Sequence, residues 1–289
     1  MNPPLRKIDL HTHSTASDGT LSPAELVVSA KARGIVALSI TDHDTFEGVS
    51  EALEAGQREG VRVVSGVELS VDHRDGSIHL LGYGFDHCNK ALIRAVEYLI
   101  ESRNERNLGM IKRLSELGFS ITLEDVRELS KRGALGRAHL AQWLYISRQV
   151  GSIDEAFDKL IGKGKPAYLD RKRLDLSDAC SLIHAAGGVT VWAHPGLHKG
   201  NLSHKLNQLQ DWKRMGLDGL ESDYSGHSIV LRDMLRLKAK DIGMIFTGGS
   251  DFHGDIRPSV QLGDGPGGED IAYECWENLN GRLKEIRGR

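Results

Sequence analysis

Along the chain, short apolar runs alternate with longer amphipathic stretches. Ile35-Val36-Ala37-Leu38-Ser39-Ile40 is continuous and of strand length, the pattern of a strand buried on both faces in a parallel sheet. Val189 to Ala193, Leu217 to Ser222 and Met244 to Thr247 repeat it. Val61 to Val71 and Ser77 to Phe85, joined by the turn residues Asp75-Gly76, read as a β-hairpin. Ser22-Pro23-Ala24-Glu25 carries a helix start: Ser as cap, Pro at the first helical position, Glu completing a capping box, with Gly34 as the stop after Arg33. Further helices are expected from about Phe46 to Glu59, from Leu176 to Ala186, ending near Met215, and from Ser228 to Asp241. This repetition places polar residues at strand C-termini, which is the functional face of a parallel α/β barrel.

From about Asn89 the pattern changes. A long polar helix through Glu116, a capped helix after Thr122, and helices over Gly136 to Val150 and Ser152 to Lys163 follow with little strand between them. We therefore expect an irregular α/β barrel, related to the (β/α)8 type and built from residues 1–99 and 169–289, with a helical insertion over 100–168 covering the site. Gly263 to Gly268 reads as a mobile loop and Glu269 to Arg289 as a surface helix with a frayed end.

Composition narrows the function. The 289 residues suffice for a substantial core. A net charge of −3 provides no broad cationic face for a long nucleic acid, so any nucleotide substrate is expected to be short and held locally. No apolar run approaches the roughly 20 residues of a membrane span, and Met1-Asn2-Pro3-Pro4 lacks a signal peptide's apolar region. Cys88, Cys180 and Cys275 show no pairing pattern and are expected to be reduced packing residues of a cytoplasmic protein. The chain has 13 histidines, a number that metal or proton chemistry accounts for economically.

The candidate chemistry centres on Ile8-Asp9-Leu10-His11-Thr12-His13, followed by Asp18. Residues i and i+2 of a strand point the same way, so His11 and His13 can present imidazole to one point in space. Alone, a His-x-His is more often a strand edge without metal. Here it has company: Asp42-His43 after Ile40-Thr41, Glu68 after Gly66-Val67, His79, His194 in Ala193-His194-Pro195, and Asp251 with His253 in Gly249-Ser250-Asp251-Phe252-His253. Most of these follow a short apolar run.

In this ordered set of motifs, over essentially its full length, the chain resembles the PHP (polymerase and histidinol phosphatase) family of metal-dependent phosphoesterases. Within it the chain is most similar to the RNase AM and nucleoside 3′,5′-bisphosphate phosphatase branch, which carries a helical insertion. The resemblance implies a (β/α)7-type barrel and two or three divalent ions, Mn²⁺ first and Fe²⁺ or Zn²⁺ as alternatives. It assigns His11, His13, Glu68 and Asp251 to one ion, Glu68, His79 and His194 to a second, and Asp18, His43 and His253 to a third. Many members with three metals have a histidine where Asp18 stands, which bears on the third site. Three divalent ions give +6 and the carboxylates Asp18, Glu68 and Asp251 return −3, an excess suited to a phosphate and a hydroxide. Metal-assisted hydrolysis then needs no side-chain nucleophile.

Substrate residues follow the same branch. Arg137 and His139 in Gly136-Arg137-Ala138-His139 are expected to face the substrate, Arg suiting bidentate phosphate binding. Asp42 either orients a ligand histidine and takes a proton from a bound water, or caps its own loop. His227 either protonates the leaving group or contacts phosphate, or simply starts a helix. Lys165 reaches a second phosphate or is a surface lysine. His73, His87, His184, His198 and His204 are expected to be structural or exposed. The leading expectation is hydrolysis of the 3′-phosphate of nucleoside 3′,5′-bisphosphates together with 5′-to-3′ trimming of short 5′-phosphorylated RNA. Histidinol-phosphate phosphatase, and a metal-bound structural or regulatory module without activity, are the alternatives; no membrane partner is expected.

Overall fold

The computed structural model describes residues 6–74, 76–130, 135–197 and 201–288. Strands β1 (Lys7–Thr12), β2 (Ile35–Ile40) and β3 (Arg62–His73) are parallel neighbours, with α1 (Pro23–Ala32) and α2 (Val49–Glu59) returning the chain between them. β4 (Gly76–Tyr83) pairs antiparallel with β3 as the hairpin pattern predicts; the turn residue Asp75 lies outside the described residues. Helices α3 (Lys90–Glu116), α4 (Leu123–Ser130), α5 (Arg137–Ile146) and α6 (Ile153–Ala156) follow. A π-helical turn, Phe157–Ile161, extends α6. The chain then runs through the two-residue β5 (Leu174–Asp175), α7 (Leu176–Ala185), β6 (Val189–Trp192), α8 (Leu202–Arg214), β7 (Gly219–Tyr224), α9 (Ile229–Asp241), β8 (Ile245–Gly249) and α10 (Glu274–Arg287).

The strand order is β1-β2-β3-β4-β6-β7-β8, with β5 beside β3. Past β8 the backbone closes the ring on β1: Asp251 N–H donates to His11 O at 2.8 Å and His13 N–H to Phe252 O at 2.9 Å. A Cβ on Gly249 would collide with His11, so this approach requires glycine. The result is the irregular (β/α)7-type barrel, with one reversed strand.

Local chemistry explains most boundaries. The Ser22–Glu25 capping box forms reciprocally at 3.2 and 2.8 Å, and Gly34 ends the turn at φ 76°. α2 begins three residues later than the apolar pattern suggests, because Phe46 turns away to pack edge-on against Phe85, 5.5 Å between centroids. Two expectations need correction. α10 is no mere surface helix, since Cys275, Trp276, Leu279 and Leu283 are buried against the barrel. The glycine-rich loop is pinned, with Gly263 N–H donating to Asp9 Oδ2 at 2.8 Å and Gly265 N–H to Glu269 O at 2.7 Å.

Three apolar clusters hold these layers. The largest fills the barrel and seats α7, α8 and α10, with Trp192 and Trp212 edge to face at 5.0 Å. A second lies under α1 and α2. The third, around Met110, Leu114, Leu140 and Leu144, belongs to the helices between β4 and β5. The expected boundary at residue 100 falls inside α3, whose early turns, with Leu92, Val96 and Leu99, pack in the barrel cluster. Cys180 and Cys275 are buried as expected and Cys88 is exposed; all three are free thiols. Among the described residues no helix is long and apolar enough to cross a membrane.

Candidate metal centre

The strand C-termini and the loops after them bring all nine expected ligand positions to one end of the barrel. His11 and His13 share one face of β1 and its extension, as their spacing predicts. Glu68, wholly buried on β3, lies at the middle: His43 Nδ1 is 2.9 Å from its Oε2, while His79 Nδ1 and His194 Nε2 are 2.8 and 2.9 Å from its Oε1. His11 Nε2 and His13 Nε2 stand 3.5 and 3.4 Å from the same carboxylate. Asp251 Oδ1 is 3.1 Å from His13 Nε2 and 3.6 Å from His11 Nε2.

Ligand atoms within 4.8 Å of one another form overlapping groups: His11, His13 and Asp251; His11, Glu68 and His194; His43, Glu68 and His79; and His13, Asp18, His43 and His253. The grouping differs in part from the expected assignment: His11, His13 and His43 each stand in two groups, and His194 falls with His11 while His79 falls with His43. Asp18 sits with His253 at 3.5 Å and His43 at 3.9 Å, so a carboxylate occupies its place in the third group.

These residues fit divalent ions. Although His43 and Asp251 approach within contact distance, His11 Nε2, both ring nitrogens of His13 and Glu68 Oε2 are buried with no partner in hydrogen-bonding geometry, an arrangement that is costly unless something binds there. Burial alone would push the carboxylates up. Instead His43, His79 and His11 hold Glu68 well below its ordinary value, His43 and His253 do the same for Asp18, and His11, His13 and His253 for Asp251. Burial and the neighbours His253 and His43 push His13 down to about 3, keeping it neutral and able to ligate. Imidazoles and carboxylates without thiolate suit Mn, Fe or Zn.

Supporting contacts reveal residues the sequence did not flag. Glu221, buried on β7, takes the Nδ1–H of His11 at 3.0 Å through Oε1 and the backbone N–H of His194 at 2.7 Å through Oε2. It thereby fixes His11 with its bare Nε2 toward the centre. Asp251 Oδ2 is held by Arg257 at 2.6 Å and by the Tyr224 hydroxyl at 3.3 Å. Asp9 accepts the N–H and hydroxyl of Ser250 at 2.9 and 2.5 Å, anchoring the Asp251 loop to β1. The backbone is left-handed at Asp44, His194 and Asp251, with φ of 50°, 30° and 57°. Such strain persists only where surroundings enforce it; among the described residues the other non-glycine case, Arg148 after α5, lies away from the centre.

Other expected site residues fall differently. Asp42 does not orient a ligand histidine: its carboxylate accepts Ser14 N–H, Ser14 Oγ–H and Ser17 Oγ–H at 2.7, 2.6 and 2.6 Å, tying down the loop that carries Asp18. The loop-capping alternative is what the fold uses. His227 is buried with both nitrogens engaged, Nδ1–H donating to Ser222 O at 2.8 Å and Nε2 accepting Gly196 N–H at 3.0 Å. It has no proton for a leaving group and instead braces the loop after His194. Lys165 is exposed and does not line the cleft beside the metal groups. Arg137 does, stacked between Phe157 and Tyr168 at 5.8 and 5.7 Å. His139 closes the first turn of α5, its Nδ1 accepting Gly136 N–H at 3.1 Å, which leaves the proton on Nε2. Of the histidines expected to be structural or exposed, His73 takes the indole N–H of Trp212 at 3.0 Å, His184 pairs with Asp218 at 2.8 Å, and His204 is exposed. His198 lies outside the described residues.

Comparison with known proteins gives consistent findings. The family model described as PHP domain matches residues 9–172. The chain is 35% identical over 276 residues to the 5′-3′ exoribonuclease of Haemophilus influenzae, spanning 95% of this chain and 99% of that one. It is 31% identical over 280 residues to the 3′,5′-nucleoside bisphosphate phosphatase of Chromobacterium violaceum, spanning 96% and 98%. A solved structure from Chromobacterium violaceum, described as an amidohydrolase with bound sulfate and no metal, superposes with a TM-score of 0.85 at 32% identity, covering 96% of each chain.

Proposed function

The chain belongs to the PHP-domain family of metal-dependent phosphoesterases, and on that premise we propose that it removes the 3′-phosphate of nucleoside 3′,5′-bisphosphates and shortens 5′-phosphorylated oligoribonucleotides from the 5′ end. The observation that carries the reading is the set of buried donor atoms on His11, His13 and Glu68 left without hydrogen-bond partners, beside a cleft lined by arginine.

When bound, divalent ions, Mn²⁺ by preference, supply Lewis-acid charge to the phosphoryl oxygens and an activated water near neutral pH. The chain's own residues do the rest. Glu68 and Asp251 set the spacing of the centre from β3 and the loop after β8, and Glu221 holds His11 in its ligating tautomer. Arg137, stiffened by its two aromatic neighbours, presents a planar cation to a phosphate in the cleft. His139 is buried and does not line the cleft; its Nδ1 holds the Gly136 N–H at the start of α5 and so helps to place Arg137, the neighbouring residue that does. The unpaired thiols Cys88, Cys180 and Cys275 fit a cytoplasmic setting, where they stay reduced.

The test compares the Mn²⁺-loaded chain on adenosine 3′,5′-bisphosphate, a 5′-phosphorylated RNA trimer and L-histidinol phosphate, with metal content measured alongside. Turnover of the first two is expected, together with loss of both activity and metal in Asp251→Ala and Glu68→Ala. Turnover of histidinol phosphate alone transfers the chain to the other phosphatase class. Full activity in either variant removes the metal assignment.

A further inference from the structure

The three carboxylates of the metal groups do not present themselves alike. Glu68 meets imidazoles through both oxygens, Oε1 facing His79 and His194, and Oε2 facing His43, His11 and His13. Asp18 does the same, with Oδ1 toward His253 and His13 at 3.5 and 3.8 Å and Oδ2 toward His43 at 3.9 Å. Asp251 meets its imidazoles through Oδ1, at 3.1 Å from His13, 3.5 Å from His253 and 3.6 Å from His11. Its Oδ2 is taken by Arg257 Nη1 at 2.6 Å and by the Tyr224 hydroxyl at 3.3 Å. Among the described residues Asp251 is the only one of the three carboxylates paired with a guanidinium.

The hold on Oδ2 is fixed from several sides. Arg257 Nη2–H donates to the Tyr224 hydroxyl at 3.4 Å, closing a triangle of Asp251, Arg257 and Tyr224. Tyr224 is wholly buried at the end of β7, so its hydroxyl needs the acceptor that Oδ2 supplies. Arg257 follows the short turn Gly254–Ile256, which is tied back by Arg257 N–H to Gly254 O at 3.0 Å and by Asp255 N–H to Thr20 Oγ1 at 3.1 Å. Asp251 itself is fixed by its N–H on His11 O at 2.8 Å and by its left-handed backbone. The carboxylate therefore has little freedom to turn. An ion pair whose arginine is 38% exposed adds little stability, so the consequence of the triangle lies in the oxygen it withholds.

A carboxylate binds a divalent ion through one oxygen or through both, and a catalytic metal site keeps a position open. Two oxygens hold more tightly but fill one more position. We propose that Arg257, braced by Tyr224, is a positioning residue that confines Asp251 to ligation through Oδ1 alone and so leaves room beside the ion for water or a phosphoryl oxygen. This rests on the metal-dependent hydrolase reading and deepens it. The sign of the effect on metal affinity separates this role from a simpler one. Losing an outer partner that merely orients a ligand lowers affinity about 10- to 100-fold. Losing one that withholds an oxygen raises it.

The experiment compares the full chain in wild type, in Arg257→Met, which keeps an apolar stem and removes every donor, and in Arg257→Lys, which keeps a charged donor without the planar fork. Three quantities are read: the Kd for Mn²⁺ by chelator competition, the water-proton relaxation produced by the bound Mn²⁺, and kcat on adenosine 3′,5′-bisphosphate. Arg257→Met should bind Mn²⁺ about 10-fold more tightly, relax water protons less because fewer waters reach the ion, and lose about 10-fold in kcat with KM nearly unchanged. Arg257→Lys should fall between the two.

Looser or unchanged binding in Arg257→Met means that Arg257 at most orients Asp251, and it overturns the proposal. Tighter binding with unchanged relaxation traces the effect to the lost positive charge alone and overturns it as well. Weaker relaxation with unchanged kcat shows that the position Arg257 keeps open takes no part in the reaction, which also overturns it. If the wild type binds Mn²⁺ but turns over neither nucleotide nor RNA, the hydrolase reading fails, while affinity and relaxation still decide what Arg257 does to Asp251. If the wild type binds no Mn²⁺, both readings fail.

Discussion

A single carboxylate on β7 controls two histidines of the centre. Glu221 fixes the ring of His11 through one oxygen and the backbone of His194 through the other. Glu221→Gln presents an N–H where His11 needs an acceptor, so the ring should turn or change tautomer. We expect metal affinity to fall about 10- to 100-fold, read by chelator competition. Unchanged affinity would mean that Glu68 and Asp251 orient His11 by themselves. That the nine ligand positions would gather in one place was legible because most sit in a short motif after an apolar run. Glu221 was not, since one acidic residue inside a strand has no partner visible in sequence. Arg257 had no signal at all, four residues past His253 in an irregular loop. His227 was misread for a related reason: a histidine after a strand looks alike whether its nitrogens face a cleft or backbone groups.

Helix α3 does at the scale of elements what Glu221 does at the scale of residues. Leu92, Val96 and Leu99 pack in the barrel, Met110 and Leu114 pack in the helical layer, and Arg103 and Arg106 lie between. The continuous helix couples the layer carrying Arg137 to the metal end of the barrel. Leu114→Ala opens a cavity in the helical cluster and should cost about 2–5 kcal/mol, measured by urea unfolding. Because it loosens the layer and not the barrel, KM for the bisphosphate should rise while metal content holds. A parallel fall in metal content would show that layer and barrel unfold together. The helical stretch itself was legible from its periodicity. The pinning of the Gly263 loop was not, because its anchor, Asp9, lies 254 residues away in the chain. The burial of α10 was missed because a short amphipathic helix gives no sign of how much of its face is covered.

Across the whole molecule, two buried carboxylates outside the metal groups contribute to the response to acid from opposite ends of the barrel. Burial acts to raise both, yet Arg103 and Arg171 hold Asp44 well below its ordinary value, while His184, Thr190 N–H and Arg282 lower Asp218. A carboxylate depressed in the folded state contributes its full stability above its unfolded value of about 4 and loses it as pH falls from there. The share of stability that these two carboxylates supply should therefore hold from pH 7 to about 5 and decline below about 4, read for Asp44 as the difference in urea midpoint between wild type and Asp44→Asn. Asp44→Asn, which strands buried Arg103, should cost about 3–5 kcal/mol at pH 7 and make the acid decline shallower. A variant with the wild-type acid profile would exclude Asp44 as a source of the effect. Ring closure between β1 and the segment after β8 also has a consequence in time. Asp251 and His253 are made some 240 residues after His11 and His13. A nascent chain that has built six strands still lacks the acidic residue that completes the first group and the imidazole that completes the last. Catalytic competence is thus withheld until the segment after β8 has been made, so a phosphoesterase emerging beside messenger and transfer RNA would be inert until then.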